Sequence, residues 1–262
     1  MKFSYLTGLR GKLLAAAGVS MGILALSVPA SADSFSVQYF EVSTSSAANS
    51  DFHTGNVPTG TSSSDYVLST LSGGLPVYNP AQTGNATAPN MLGAGNVIEW
   101  WTPGTYGPNT VTSTGTSVLN VSTDPNNPTN MFPPNSTGNS NQNGFEETAI
   151  LTSTFTLGST QNVTFDVGAD DDAFVFIDGK IVLDLGGIHG LTLTPTVTQL
   201  LNAGTHTLQI FYADQDEVAA SLVFQDNGIP VNPSPAPEPG SLALLGTGVL
   251  GLAGTLRRRM KR

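Results

Sequence analysis

Apolar and polar residues alternate with a period of two along short runs, and this limits the possible fold more than any other feature. Phe35, Val37 and Tyr39 mark one such face; Val163, Phe165 and Val167 a second; Leu208, Ile210 and Tyr212 a third; Leu222 and Phe224 a fourth. Side chains point alternately to the two faces of a strand, so each set predicts a strand with one face in a core. Before the C-terminal tail, a helical period shows only weakly, around Ser64 to Leu71. Gly, Asn, Ser and Pro separate the runs, which together predict an all-β, antiparallel β-sandwich. The chain has no cysteine, so neither a disulfide framework nor thiolate chemistry is available and stability must come from burial.

The stretch from Gly168 to Gly190 carries most of the candidate chemistry. Asp170-Asp171-Asp172 leads into the apolar run Ala173-Phe174-Val175-Phe176-Ile177, followed by Asp178-Gly179-Lys180. Asp-Gly suits a type I′ turn, which predicts a hairpin. The hairpin does not explain three adjacent carboxylates, which repel one another unless a cation or water screens them. They are either a solvated turn or a calcium site, for which Asp214 and Asp216 add hard oxygen donors on a later loop. No EF-hand spacing is present. Lys180 is expected to pair with nearby acids, and Asp184 to accept from the Gly186 and Gly187 amides. His189, in the glycine-rich exit, either fastens that loop or touches a ligand; His53 and His206 make no metal-binding spacing with it. Trp100-Trp101, placed on a strand, would point to opposite faces and leave Trp101 available to stack on a sugar ring.

The two ends read differently from the middle. Lys2, Arg10 and Lys12 precede an apolar run and Ala30-Ser31-Ala32, the pattern of a secretory signal peptide over residues 1–32. Residues 228–240 form a Pro-rich spacer. From 241 to 262, an apolar stretch barely long enough to cross a bilayer ends in Arg257, Arg258, Arg259, Lys261 and Arg262. Between Asp33 and Glu238 stand nineteen acids and a single base, Lys180. Such a surface repels nucleic acid and attracts divalent cations. Residues 102–143, rich in Thr, Ser, Asn, Gly and Pro, are expected to form a surface excursion with a strand or two. No nucleophile elbow, P-loop or dinucleotide fingerprint is present, so the chain is expected not to be an enzyme.

The tail, Pro237-Glu238-Pro239 followed by the apolar stretch and basic end, resembles the PEP-CTERM sorting signal of Gram-negative bacteria. That resemblance implies transient anchoring in the inner membrane, processing by an exosortase-type enzyme, and delivery to the cell envelope or exopolysaccharide matrix. The acid run, the aromatic strand, the Asp178-Gly179-Lys180 turn and the ending Val182-Leu183-Asp184-Leu185-Gly186-Gly187-Ile188-His189-Gly190 resemble the fibro-slime domain, here spanning 33–227. Fibro-slime domains look related to the jelly-roll-type sandwich of anthrax protective antigen and the yeast flocculins. In those lectins two aspartates joined by a cis peptide hold a calcium ion that contacts a glycan. The resemblance places that pair at Asp170-Asp171 and the second calcium loop at Asp214 to Asp216; the flocculins' Asn-x-x-x-Trp pattern is missing there. The expected function is calcium-assisted binding of carbohydrate or adhesion in biofilm. The alternatives are a purely structural matrix scaffold and a polysaccharide-modifying hydrolase.

Overall fold

The computed structural model describes residues 34–43, 51–52, 62–131, 145–194, 196–215 and 220–226. The predicted signal peptide, spacer and C-terminal tail lie outside these residues, as do His53 and Asp216. Twelve strands are described: β1 (Ser34–Ser43), β2 (Gly104–Tyr106), β3 (Asn109–Asn120), β4 (Thr129–Asn130), β5 (Phe145–Leu157), β6 (Gln161–Asp170), β7 (Asp172–Ile177), β8 (Lys180–Leu185), β9 (Thr192–Leu193), β10 (Val197–Leu201), β11 (Gly204–Ala213) and β12 (Ser221–Asp226). They pair antiparallel into a seven-stranded sheet, β2-β3-β1-β5-β11-β7-β8, and a five-stranded sheet, β10-β6-β12-β4, with β9 on β6. The fold class is therefore all-β, as the period of two predicts.

All four predicted faces meet in one core between the sheets. Phe35, Val37 and Tyr39 of β1 and Leu208, Ile210 and Tyr212 of β11 pack against Val163, Phe165 and Val167 of β6 and Leu222 and Phe224 of β12. Phe35 meets Phe224 edge-on, with ring centroids 5.5 Å apart. The hairpin also forms as expected: Asp178 and Gly179 have φ of 51° and 72°, the left-handed pair that a type I′ turn requires.

A second core covers the opposite face of the seven-stranded sheet, and sequence alternation does not foresee it. Phe40, Val42, Phe174, Phe176, Phe211 and Ala213 project from that face and are sealed by Phe52, Tyr66, Tyr78, Trp100 and Trp101. These come from an irregular cap over residues 62–103, together with Phe52. The two cores explain why all six residues of β7 are buried. Each large side chain so enclosed contributes about 1.5–3 kcal/mol.

Two expectations need correction. Residues 64–71 form no helix; Val67 bridges Tyr78 and Thr70 bridges Lys180, because the apolar positions there serve the cap. Of residues 102–143, the described part, 102–131, carries the expected strands but joins the sheets more fully than an excursion would. It contains β3, twelve residues long and paired with β1 along most of its length. Its alternating Thr and Ser disguise a strand whose outer face meets water.

Candidate functional site

The acid run sits where β6 hands over to β7, and the peptide between Asp170 and Asp171 is cis, the geometry that the resemblance implies. Asp171 is 2% exposed. Its Oδ1 accepts from the His189 amide at 2.9 Å and its Oδ2 from the Gln215 amide at 2.8 Å. Asp172 opens β7 on the other face, fully buried, and its Oδ1 accepts from the Gly187 amide at 2.7 Å. The two halves of the central motif thus fasten to each other: the acids hold the amides of the glycine-rich exit. Gly186 is required for a separate reason, since a Cβ there would come within 2.6 Å of the Tyr66 Cβ. That close approach lets the cap dock by paired backbone bonds between Ser63 and Gly186, at 2.8 and 3.0 Å.

Asp172 pairs with Ala213, a residue of the core under the cap. Its neighbours are Tyr66 and Asp184 under the cap, and burial, followed by the nearby Asp171 charge, pushes its carboxyl well above the usual range. Its Oδ2 has no hydrogen-bond partner. Asp184 holds the Val67 amide at 2.7 Å instead of the expected glycine amides, because Asp172 already takes one of them. Burial raises the Asp184 carboxyl to about 7.

The acids that do converge lie around the end of β11. Carboxylate oxygens of Glu146, Glu147 and Asp214 lie within 4.8 Å of one another, and all three residues are buried. Glu146 and Glu147 begin β5, which pairs with β11 so that Thr148 faces Ala213. The Asp214 amide then donates to the Glu147 carbonyl at 2.9 Å. On the other flank of β11, the Asp171 amide bonds to the Ala213 carbonyl at 3.3 Å. Tyr212 joins the two flanks. Its hydroxyl donates to the Asp170 carbonyl. Burial first, then the charges of Asp214, Asp171, Asp170 and Glu147, hold its phenol well above the ordinary range.

Glu147 is 5% exposed, and its Oε2 has no hydrogen-bond partner. Burial, reinforced by Glu41, raises its carboxyl to about 8. No lysine or arginine makes an ion pair among the described residues, and Lys180 lies exposed at the far end of the hairpin. Carboxylates buried this close together favour either protonation or a bound metal cation. Hard oxygens in this number suit calcium, which takes six to eight. Sequence reading missed Glu146 and Glu147. The available signal was a pair of acids heading an apolar strand, the same pattern as Asp170-Asp171.

The tryptophans are a correction. Trp100 and Trp101 are 0% and 2% exposed, so neither offers a platform for a sugar. They stand in a turn closed by the Thr102 amide on the Glu99 carbonyl, where neighbours need not alternate between faces. The Trp101 indole donates to the Tyr212 carbonyl at 2.9 Å, and the Trp100 indole to Asp51 at 2.9 Å. Asp51, also missed, accepts from the Met91 and Asn90 amides too, and its carbonyl receives the Gln215 side chain at 3.1 Å. The cap is thereby keyed to the acidic loop. His189 is largely buried with a lowered pKa caused by that burial, its Nδ1 3.2 Å from the Gly190 carbonyl. Its main-chain amide, not its ring, fastens the loop to Asp171.

Residues 235–259 match the PEP-CTERM protein-sorting motif, which marks the chain as an exported protein with a C-terminal anchoring segment. Protein psiB of Dictyostelium discoideum is 31% identical over 66 residues, a match spanning 24% of this chain and 12% of that protein. Among solved structures, the PA14 domain of the MpAFP antifreeze protein aligns over 78% of this chain and 93% of its own, with 14% identity and a TM-score of 0.33. The PA14 sugar-binding domain from an RTX adhesin aligns over 33% of this chain and 50% of its own, with 24% identity and a TM-score of 0.28.

Proposed function

We propose that this exported protein is a non-catalytic, calcium-assisted carbohydrate-binding module of the cell envelope or its polysaccharide matrix. The observation that carries the reading is the buried meeting of Glu146, Glu147 and Asp214, whose carboxylate oxygens lie within 4.8 Å of one another. Those three carboxylates would hold the ion, with Asp170 and Asp171 on the neighbouring flank of Tyr212. When bound, calcium supplies positive charge among these acids and offers coordination positions to vicinal hydroxyls. The chain's own residues prepare the place: the Asp171 bonds to His189 and Gln215 fix both bordering loops, and the Tyr212 hydroxyl anchors the Asp170 carbonyl. An exosortase-type enzyme would process the tail and set the protein's final attachment.

The test is retention of the purified protein on the host's own exopolysaccharide, in calcium and in chelator. The reading expects retention with calcium and its loss in Asp170→Asn/Asp171→Asn; equal retention in all four conditions rejects it. A structural scaffold is the second reading, favoured by the three backbone amides that Asp171 and Asp172 already satisfy. It expects no retention at all. Release of reducing ends during the same incubation would indicate a hydrolase instead.

A further inference from the structure

The part of the seven-stranded sheet beyond the cap holds an open groove of about 490 Å³, within the size range of small-molecule sites. Its lining includes two adjacent rungs of the β3-β1-β5 ladder. Ser36 stands between Val118 and Thr152, and Gln38 between Thr116 and Ile150. On this side of the β1 bulge the six residues share one face of the sheet, so all six point into the groove. Ser36, Gln38, Thr116 and Val118 are exposed, Val118 at 67%.

The chemistry of the lining is selective. Among the described residues, no ionisable side chain lines the groove, although nineteen acids stand between Asp33 and Glu238. A cation finds no carboxylate there. An anion finds no base and is repelled by the rest of the domain. Hydroxyl and amide side chains both donate and accept, which suits a ligand that does the same. Val118 and Ile150 supply apolar surface for the C–H face of a ring. A neutral polyhydroxylated chain satisfies every one of these conditions.

We infer that the groove over β3, β1 and β5 is a calcium-independent binding site for a neutral polysaccharide. It rests on the carbohydrate reading above for the class of ligand, but not on the metal. Thr152 is five residues along β5 from Glu147, roughly 17 Å at the usual strand rise, so the two sites can be disabled separately.

The experiment is affinity electrophoresis of the full-length protein through gels containing dextran, galactomannan or agarose, with alginate as the anionic control, in chelator and in calcium. In chelator, at least one neutral polymer should retard the protein and alginate should not. Gln38→Glu, which adds a charge at an exposed position, should weaken that retardation about tenfold. Thr152→Val removes one hydroxyl at nearly constant volume and should weaken it about fivefold, the equivalent of one hydrogen bond. Unchanged melting temperatures would show that both variants fold. Glu147→Gln should leave the chelator-resistant retardation intact while removing any calcium-dependent part. The inference is overturned if no neutral polymer retards the protein in chelator, or if Gln38→Glu runs as wild type. Self-association broken by Gln38→Glu without any polymer binding overturns it as well. Calcium-dependent retention surviving alone would spare the proposed function and remove only the groove.

Discussion

Strands β7 and β11 lie side by side in opposite directions, and acids stand at both ends of the pair under very different terms. At the hairpin tip, Asp178 faces His206, whose Nδ1 lies 2.6 Å from its Oδ2 while Nε2 approaches the Asn202 carbonyl at 2.9 Å. The remaining Asp178 oxygen takes the Thr207 amide at 2.9 Å. That charge is fully provided for, and by a histidine rather than by Lys180 as expected. At the other end, Asp171, Asp214, Glu146 and Glu147 are buried among themselves. The difference shows that an acid's neighbours, not its type, decide whether it needs a ligand. The tip pairs its acid with a histidine, whereas the acidic end sets carboxylate beside carboxylate, a crowding that a proton or a cation relieves.

The sharpest way to break the contrast is to remove one charge from the crowded end. Folded Glu147 holds its proton up to about pH 8, against an ordinary value of 4.5. Its contribution to stability is therefore full below about pH 4.5 and lost as pH rises through about 8. In chelator at pH 9, Glu147→Gln should raise stability by several kcal/mol, the scale of such a shift, as read by urea unfolding. A destabilised variant would place a counter-charge where none is seen. Next in size is Asp171→Asn. It leaves either the His189 or the Gln215 amide without an acceptor, and unfolding should show a loss of about 2 kcal/mol. The smallest effect belongs to the tip. Hydrogen bonding to Asp178 raises the His206 pKa, so the pair's stabilisation is full below pH 6.5 and disappears as pH rises past the folded value. Asp178→Asn should cost about 1 kcal/mol or less at pH 6, since Asp178 is half exposed. An imidazole titration by NMR should show the His206 pKa falling in that variant.

The first core was legible because its four faces alternate cleanly, and the hairpin because Asp178-Gly179 permits few other conformations. The second core was not. Tyr66, Tyr78, Trp100 and Trp101 are scattered through an irregular chain with no period to betray a shared face. β3 was expected only as one of a strand or two in that stretch, without bounds, since a strand wetted on one side can be built from Thr and Ser. At the site, the sequence marked Asp170, Asp171 and Asp214 but grouped Asp172 with them. Alternation at the start of β7 sends Asp172 to the opposite face, beneath Tyr66. Glu146 and Glu147 escaped notice because their nearness to Asp214, 68 and 67 positions further along the chain, comes from the pairing of β5 with β11.

The most direct test is a calorimetric titration of the chelator-stripped protein with calcium at pH 8, repeated on Glu147→Gln, with melting temperatures recorded alongside. A bound ion should appear with a higher melting temperature in the wild type, and its affinity should fall at least tenfold in the variant. No heat and no thermal shift at millimolar calcium in the wild type would contradict the account and leave the acidic end neutralised by protons alone.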